Sequence, residues 1–222
     1  MCTRYTLTQM QVLAEFCQTL GAALDPERFP ARFNVAPTQK VPVIVDEGDS
    51  RRVVSMPFGI LLPARPPAKR GLLVVTARSE SMTEKPTFRE ATAHRRCLVP
   101  ADGFFEWEKA GTARLPHYLT LKNRRPFCFA GLWQTGTDAE PGGFAIVTTE
   151  PNALLSPFHD RMPVILGPNT GPAWLGNQPL PSETLRRLCR PLPAEIMESH
   201  RVDPRVNNVR YEAPDTIAPL PA

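Results

Sequence analysis

Arg96-Cys97-Leu98-Val99-Pro100-Ala101-Asp102-Gly103-Phe104-Phe105-Glu106-Trp107 is the stretch on which the reading of this chain turns. Cys97 to Pro100 is one short apolar run and Gly103 to Glu108 a second, with the turn pair Asp102-Gly103 between them. Runs this short, rich in aromatic and branched side chains and bounded by turn residues, read as strands. The pattern repeats in both directions. Toward the N-terminus, Leu72 to Val75 is a strand that runs into Thr76-Ala77-Arg78-Ser79, and Val41 to Val45 returns through Glu47-Gly48-Asp49-Ser50 to a strand near Val53. Toward the C-terminus, His117 to Leu121, Pro126 to Trp133 and Gly143 to Thr149 are further strands.

Helices are few. Thr8 followed by Gln11 has the spacing of a capping box, Val12, Leu13, Phe16 and Leu20 share one helical face, and Gly21 is placed to stop the helix. Phe88 to Arg95 reads as a short helix, Ala153 to Ser156 as a helical turn. Ser182 to Cys189 is a helix with Glu183 near its start and Arg186 and Arg187 near its end, as the helix dipole favours. Many short strands with few helices predict an α+β fold: a single compact domain over residues 1–212 with a β-rich, mainly antiparallel core. The Pro- and Ala-rich residues 213–222 are expected to form a disordered tail.

The 222 residues suffice for one sizeable core. Proline, at 26 residues, is the compositional outlier and is read as rigid turns between the apolar runs. The 26 basic and 22 acidic residues leave a formal charge of +4, which permits a nucleic-acid partner without demanding one. The five cysteines are widely spaced with no C-x-x-C, which argues against a zinc site or a redox pair. Cys17, Cys97 and Cys128 sit in apolar surroundings and are expected to be buried and free. The N-terminus has no apolar h-region and no run reaches the length of a membrane span, so a cytoplasmic protein is expected.

Standard nucleotide-binding and hydrolase signatures are absent. Three positions hold the remaining chemistry. Cys2 becomes an N-terminal residue if Met1 is removed; its amine and thiol, on adjacent carbons, can capture an aldehyde first as an imine and then as a five-membered thiazolidine. A cysteine at position 2 is by itself most often incidental. Glu106, between aromatic neighbours, is either an acid/base with a raised pKa or an exposed charge on an alternating strand. His159 is either a proton carrier or a surface histidine in a loop.

Five ordered segments decide among these alternatives: Met1-Cys2-x-Arg4, Arg32-Phe33-Asn34-Val35-Ala36-Pro37-Thr38, Ala77-Arg78-Ser79-Glu80, the stretch 96–107 itself, and His159-Asp160-Arg161-Met162-Pro163-Val164-Ile165-Leu166. Together, from Cys2 to about Val209, the chain closely resembles the SRAP family, the SOS response-associated peptidases or abasic site processing proteins. The resemblance implies a monomeric, cofactor-free and metal-free domain that trims its own Met1, binds single-stranded DNA and joins Cys2 covalently to the ring-opened sugar of an abasic site. It implies Glu106 as the acid/base in Met1 removal and His159 as the proton carrier in sugar opening, imine formation and reversal. It implies phosphate contacts from Arg4, Arg78 and Arg161, and a loop containing Asn34 that lines the site.

The chain departs from the family pattern in three places. Thr3 replaces a glycine and Thr76 an asparagine thought to orient the opened sugar. The stretch Phe58 to Lys69 lacks the family's tryptophans, which shifts DNA affinity toward Arg65, Lys69 and Arg70. Two other readings follow from the same residues: a cysteine peptidase acting on other proteins, and a single-strand binder that forms no crosslink.

Overall fold

In the computed structural model, which describes residues 3–48, 50–64, 71–136 and 142–220, the stretch 96–107 forms two strands that lie in different sheets. In chain order the elements are β1 (Tyr5–Leu7), α1 (Met10–Thr19), β2 (Arg32–Val35), the hairpin β3 (Lys40–Asp46) and β4 (Arg51–Pro57), the ribbon β5 (Ile60–Leu62) and β6 (Leu72–Val74), and β7 (Thr76–Arg78). Then come α2 (Pro86–His94), β8 (Arg96–Ala101), β9 (Gly103–Ala110), β10 (Ala113–Leu121), β11 (Phe127–Gln134) and β12 (Gly143–Thr149). The chain ends through β13 (Met162–Pro163), β14 (Ile165–Leu166), α3 (Gly171–Trp174), α4 (Ser182–Leu188) and β15 (Met197–Arg201). Short 3-10 turns occupy Ala194–Ile196, Pro204–Asn207 and Pro214–Ile217.

The larger sheet runs β13-β12-β11-β8-β3-β4, with β14 against β11 and β7 parallel to β12; every other pairing in it is antiparallel. Its inner strands are buried along their length, which is why β8 and β11 read as continuous apolar runs. The second sheet runs β15-β10-β9-β1-β2. Tyr5 and Phe104 pair in it and turn inward onto Phe129 of the first sheet, with ring centroids 5.6 and 5.9 Å away. Phe105, Tyr118, Val202 and Val206 form a smaller cluster on its other face. This is the mainly antiparallel α+β architecture expected from the strand pattern.

Asp102-Gly103 therefore does not close a hairpin; it carries the chain from one sheet to the other. Asp102 is buried, and its carboxylate accepts bonds from the hydroxyls of Thr6 (2.5 Å) and Thr8 (2.8 Å) and the amides of Thr8 (2.5 Å) and Gln9 (2.9 Å). The capping box expected at the start of α1 is thus replaced: Thr8 is a donor to Asp102, Gln9 takes the N-cap position, and the helix entry is fixed from a distant strand. Gly103 is required at the crossing, because a Cβ there would lie 2.2 Å from the Tyr118 hydroxyl. Gly21, with φ of +76°, stops α1 as expected.

Of the tail read over 213–222, residues 221–222 lie outside the described residues. In residues 213–220 Thr216 is buried and donates to the Phe33 and Ala213 carbonyls at 3.2 and 2.8 Å, and Ile217 packs on the smaller cluster. The segment's apolar partners, Phe105, Tyr118, Val202 and Val206, lie outside it, and it is tied by hydrogen bonds to Phe33 and Arg201. Prolines do not mark turns alone, since Pro42, Pro100 and Pro116 lie inside strands. Cys17, Cys97, Cys128 and Cys189 are buried and free, and burial raises the Cys17 thiol to about 12.

A candidate active-site cleft at the entry of the chain

β9 carries Glu106 to the point where its neighbour β1 gives way to the incoming chain. β1 pairs with β9 only at Gly103 and Phe104, after which the Phe105 amide donates to the Arg4 carbonyl at 3.0 Å. Beyond that bond a cleft of about 440 Å³ opens, walled by Thr3, Arg4, Glu106 and His159. Trp107, Arg114 and Asn207 complete it. Two residues separated by more than fifty positions in sequence, Glu106 and His159, are thereby brought into one pocket next to Thr3. Cys2, the residue before Thr3, lies outside the described residues, as do Arg65, Lys69 and Arg70.

Glu106 is 1% exposed, and burial raises its carboxyl pKa above the ordinary value. His159 follows a turn in which the Asn152 carboxamide accepts the Leu155 amide at 3.0 Å and the Leu155 carbonyl accepts the His159 amide at 3.1 Å. Its Nδ1 lies 2.6 Å from Asp160 Oδ1 and 3.0 Å from the Arg161 amide nitrogen. Burial lowers the His159 pKa; the charges of Lys109 and Arg161 add to this, while Asp160 opposes it. The imidazole is therefore held toward its neutral form at pH 7. With Nδ1–H on Asp160, Nε2 is left as a base. With Nδ1 accepting from the Arg161 amide, Nε2 carries the proton as an acid.

Arg4 is almost fully buried. Its Nε donates to Asn34 Oδ1 at 2.9 Å, and its Nη2 to Asn34 Oδ1 and the Val206 carbonyl. Burial lowers its pKa, with Glu212 opposing. Asn34 does not line the cleft. It is fully buried behind Arg4, and its Nδ2 donates to the carbonyls of Val206, Asn208 and Tyr211 at 3.2, 3.2 and 2.8 Å. The Arg32–Thr38 motif thus holds Arg4 and the 206–211 segment in place.

Thr76 and Arg78 are not walls of the cleft either. They lie on β7, opposite Ile146 and Thr148 of β12. Arg78 is exposed, and Arg161 reaches the same Thr148 through its carbonyl, at 2.6 Å. The Arg161 guanidinium also grips Glu80 with two 2.8 Å bonds, which lowers the Glu80 pKa. The 77–80 and 159–166 motifs are joined by this fork. Phe58 is core rather than surface, stacked on Phe144 at 5.2 Å.

Sequence reasoning gave Trp107, Arg114 and Asn207 no role in the site. Only the strand pairing could have shown the first two, because Trp107 and Arg114 lie on opposite arms of the β9–β10 hairpin. Asn207 carries no motif; it is reached through its Oδ1, which accepts the Trp107 indole N–H at 2.6 Å. Among the described residues no group of three or more His, Cys, Asp or Glu side chains could hold a metal ion. No helix there is long and apolar enough to cross a membrane.

The abasic site processing protein YoqW of Bacillus subtilis is 32% identical over 223 residues, covering 98% of this chain and 99% of its own. YedK of Escherichia coli, also named an abasic site processing protein, is 29% identical with 99% and 100% covered. A crystal structure of a protein from Bacteroides thetaiotaomicron shares the fold with a TM-score of 0.79 at 23% identity, covering 99% of this chain and all of its own. The family model described as SOS response associated peptidase (SRAP) matches residues 1–209, and the chain belongs to that family.

Proposed function

We propose that this protein captures abasic sites in single-stranded DNA by a covalent bond to Cys2. The observation that carries the reading is the convergence of Glu106 and His159 in one cleft beside Thr3, the residue that follows Cys2. The relatives named as abasic site processing proteins support it.

The chemistry begins with hydrolysis of the Met1–Cys2 peptide bond, which consumes one water and frees the Cys2 amine. Glu106 is the acid/base for this step, because its raised pKa moves it toward the range where a carboxyl both gives and takes protons. The amine nitrogen then attacks the aldehyde carbon of the ring-opened sugar, and loss of one water leaves an imine. The thiol sulfur adds to the imine carbon while its proton passes to nitrogen, closing a thiazolidine. The adduct is one water lighter than protein plus DNA, and removing the imine protects the strand from β-elimination. His159 moves the protons, as base or acid at Nε2 according to whether Asp160 or the Arg161 amide holds Nδ1.

Arg4 supplies a fixed positive charge to the cleft wall, and exposed Arg78 contacts phosphate beyond it; Arg161, held by Glu80, reaches phosphate only where that carboxylate gives way. Thr76, on β7 two residues before Arg78, is a position where the chain departs from the family pattern. The protein works as a cytoplasmic monomer, and no step calls for a cofactor or metal. Incubation with a single strand bearing one abasic site, followed by denaturing electrophoresis, tests the reading. An adduct with that strand, and none with intact single strand or intact duplex, is expected; failure to form it overturns the proposal.

A further inference from the structure

The β9–β10 hairpin outgrows its sheet. β1 covers β9 only at Gly103 and Phe104, and β15 covers β10 only from His117 to Leu121. Residues between Trp107 and Pro116 therefore form a two-stranded arm without a third strand to support it, projecting beside the cleft. On this arm Lys109 stands directly opposite Arg114. Opposed side chains of an antiparallel pair share a face with Cβ atoms about 5 Å apart, and like charges placed so destabilise the pair.

Among the described residues no ion pair relieves that repulsion, since none involves Lys109 or Arg114. The neighbouring carboxylate, Glu108, is turned to His117 Nε2 at 3.1 Å. Both charges bear on the cleft: Arg114 lines it, and the field of Lys109 is felt at His159. Trp107, two pairs further in and opposite Pro116, is fixed by its 2.6 Å bond to Asn207 and forms the adjoining wall. A basic pair next to an anchored aromatic ring is the combination that grips a single strand by its backbone.

We propose that Lys109 and Arg114 form a phosphate clamp for the nucleotides that flank the captured sugar, at the cleft wall that Arg114 lines. The clamp extends the proposed single-stranded DNA reading and rests on it. The arm tolerates its opposed charges because bound phosphate neutralises them.

Binding of an undamaged oligodeoxynucleotide, followed by fluorescence anisotropy across a salt series, separates the two claims. Each phosphate contact on single-stranded DNA contributes about 0.7 to the slope of log affinity against log salt. The K109A/R114A double variant should therefore lose about 1.4 from that slope. Lys109→Glu should bind at least tenfold more weakly at low salt yet melt no lower than wild type, since it turns a repulsive pair into an attractive one. An unchanged slope in the double variant, or a loss of affinity in Lys109→Glu accompanied by a lower melting temperature, overturns the clamp. Wild-type crosslinking to an abasic strand, measured alongside, reports on the underlying reading. A clamp-dependent slope without any adduct would sink the covalent reading and leave the clamp standing. Adduct formation with unchanged slopes would sink the clamp alone, and no single-strand binding by wild type would overturn both.

Discussion

Glu106 illustrates how a fold prepares a single residue. Above the unfolded carboxyl pKa, the folded state resists ionising it, because burial has raised the folded pKa. Below the unfolded value both states hold the proton and no difference arises; stability is lost as pH rises through the folded pKa. Glu106→Gln should therefore melt higher than wild type at pH 8, with the gap closing toward pH 4, while retaining more Met1 by intact mass. Refolding the variant in vitro before the mass measurement excludes trimming by a host aminopeptidase. His159 behaves in the opposite sense. Its folded pKa is depressed, so the neutral ring survives to lower pH than an ordinary histidine allows. Crosslinking should hold its rate as pH falls through 6.5 and decline only below it, and His159→Ala should slow formation and reversal alike. A rate that tracks an ordinary histidine pKa would contradict this placement.

At the scale of elements, Asp102 is the joint between strand and helix. Its carboxylate serves Thr6, Thr8 and Gln9, so Asp102→Ala strands buried donors at the entry of α1. A loss of about 3 kcal/mol or more in denaturant unfolding is expected. The Arg161–Glu80 fork yields a prediction of the opposite sign for binding. Two oxygens of a carboxylate occupy the donors that a phosphate would use. Glu80→Gln should free Arg161 and raise single-strand affinity severalfold at low salt; lower affinity would mean that the fork holds Arg161 in its working position. Elements were also where the sequence was most readable. β3, β8, β11 and β12 announce themselves as apolar runs bounded by turn residues. β1, β2 and β15 do not, because Tyr5–Leu7 is too short to show a period and Arg32–Val35 and Met197–Arg201 carry charges that pattern reading assigns to loops.

At the scale of the whole molecule, the site is a product of pairing between sheets, and this limits what the sequence can show. Glu106 and His159 were visible as candidates, but their meeting depends on the crossing at Asp102-Gly103 and on the turn after Asn152. Asn34 looked like a site residue and is a buried buttress, since local sequence does not reveal which side chain a carboxamide will face. The final segment shows the same limit: one of its bonds, from Thr216 to Phe33, spans 183 residues and has no local signal. Ending the chain after Glu212 should therefore cost about 2 kcal/mol and loosen the cleft wall that Asn207 and Trp107 share.

The account stands most directly on Cys2. Wild type and the Cys2→Ala and Cys2→Ser variants should each be incubated with a single strand carrying one abasic site, then heated in denaturant and weighed intact. Wild type should give one heat-stable species with the mass of Met1-free protein plus DNA less one water. Neither variant should give it, although the serine amine can still form a labile imine. Variants of Cys17, Cys97, Cys128 or Cys189 should match wild type if they fold, because none of these buried thiols has a free amine on the adjacent carbon. A heat-stable adduct formed by Cys2→Ala would contradict the mechanism.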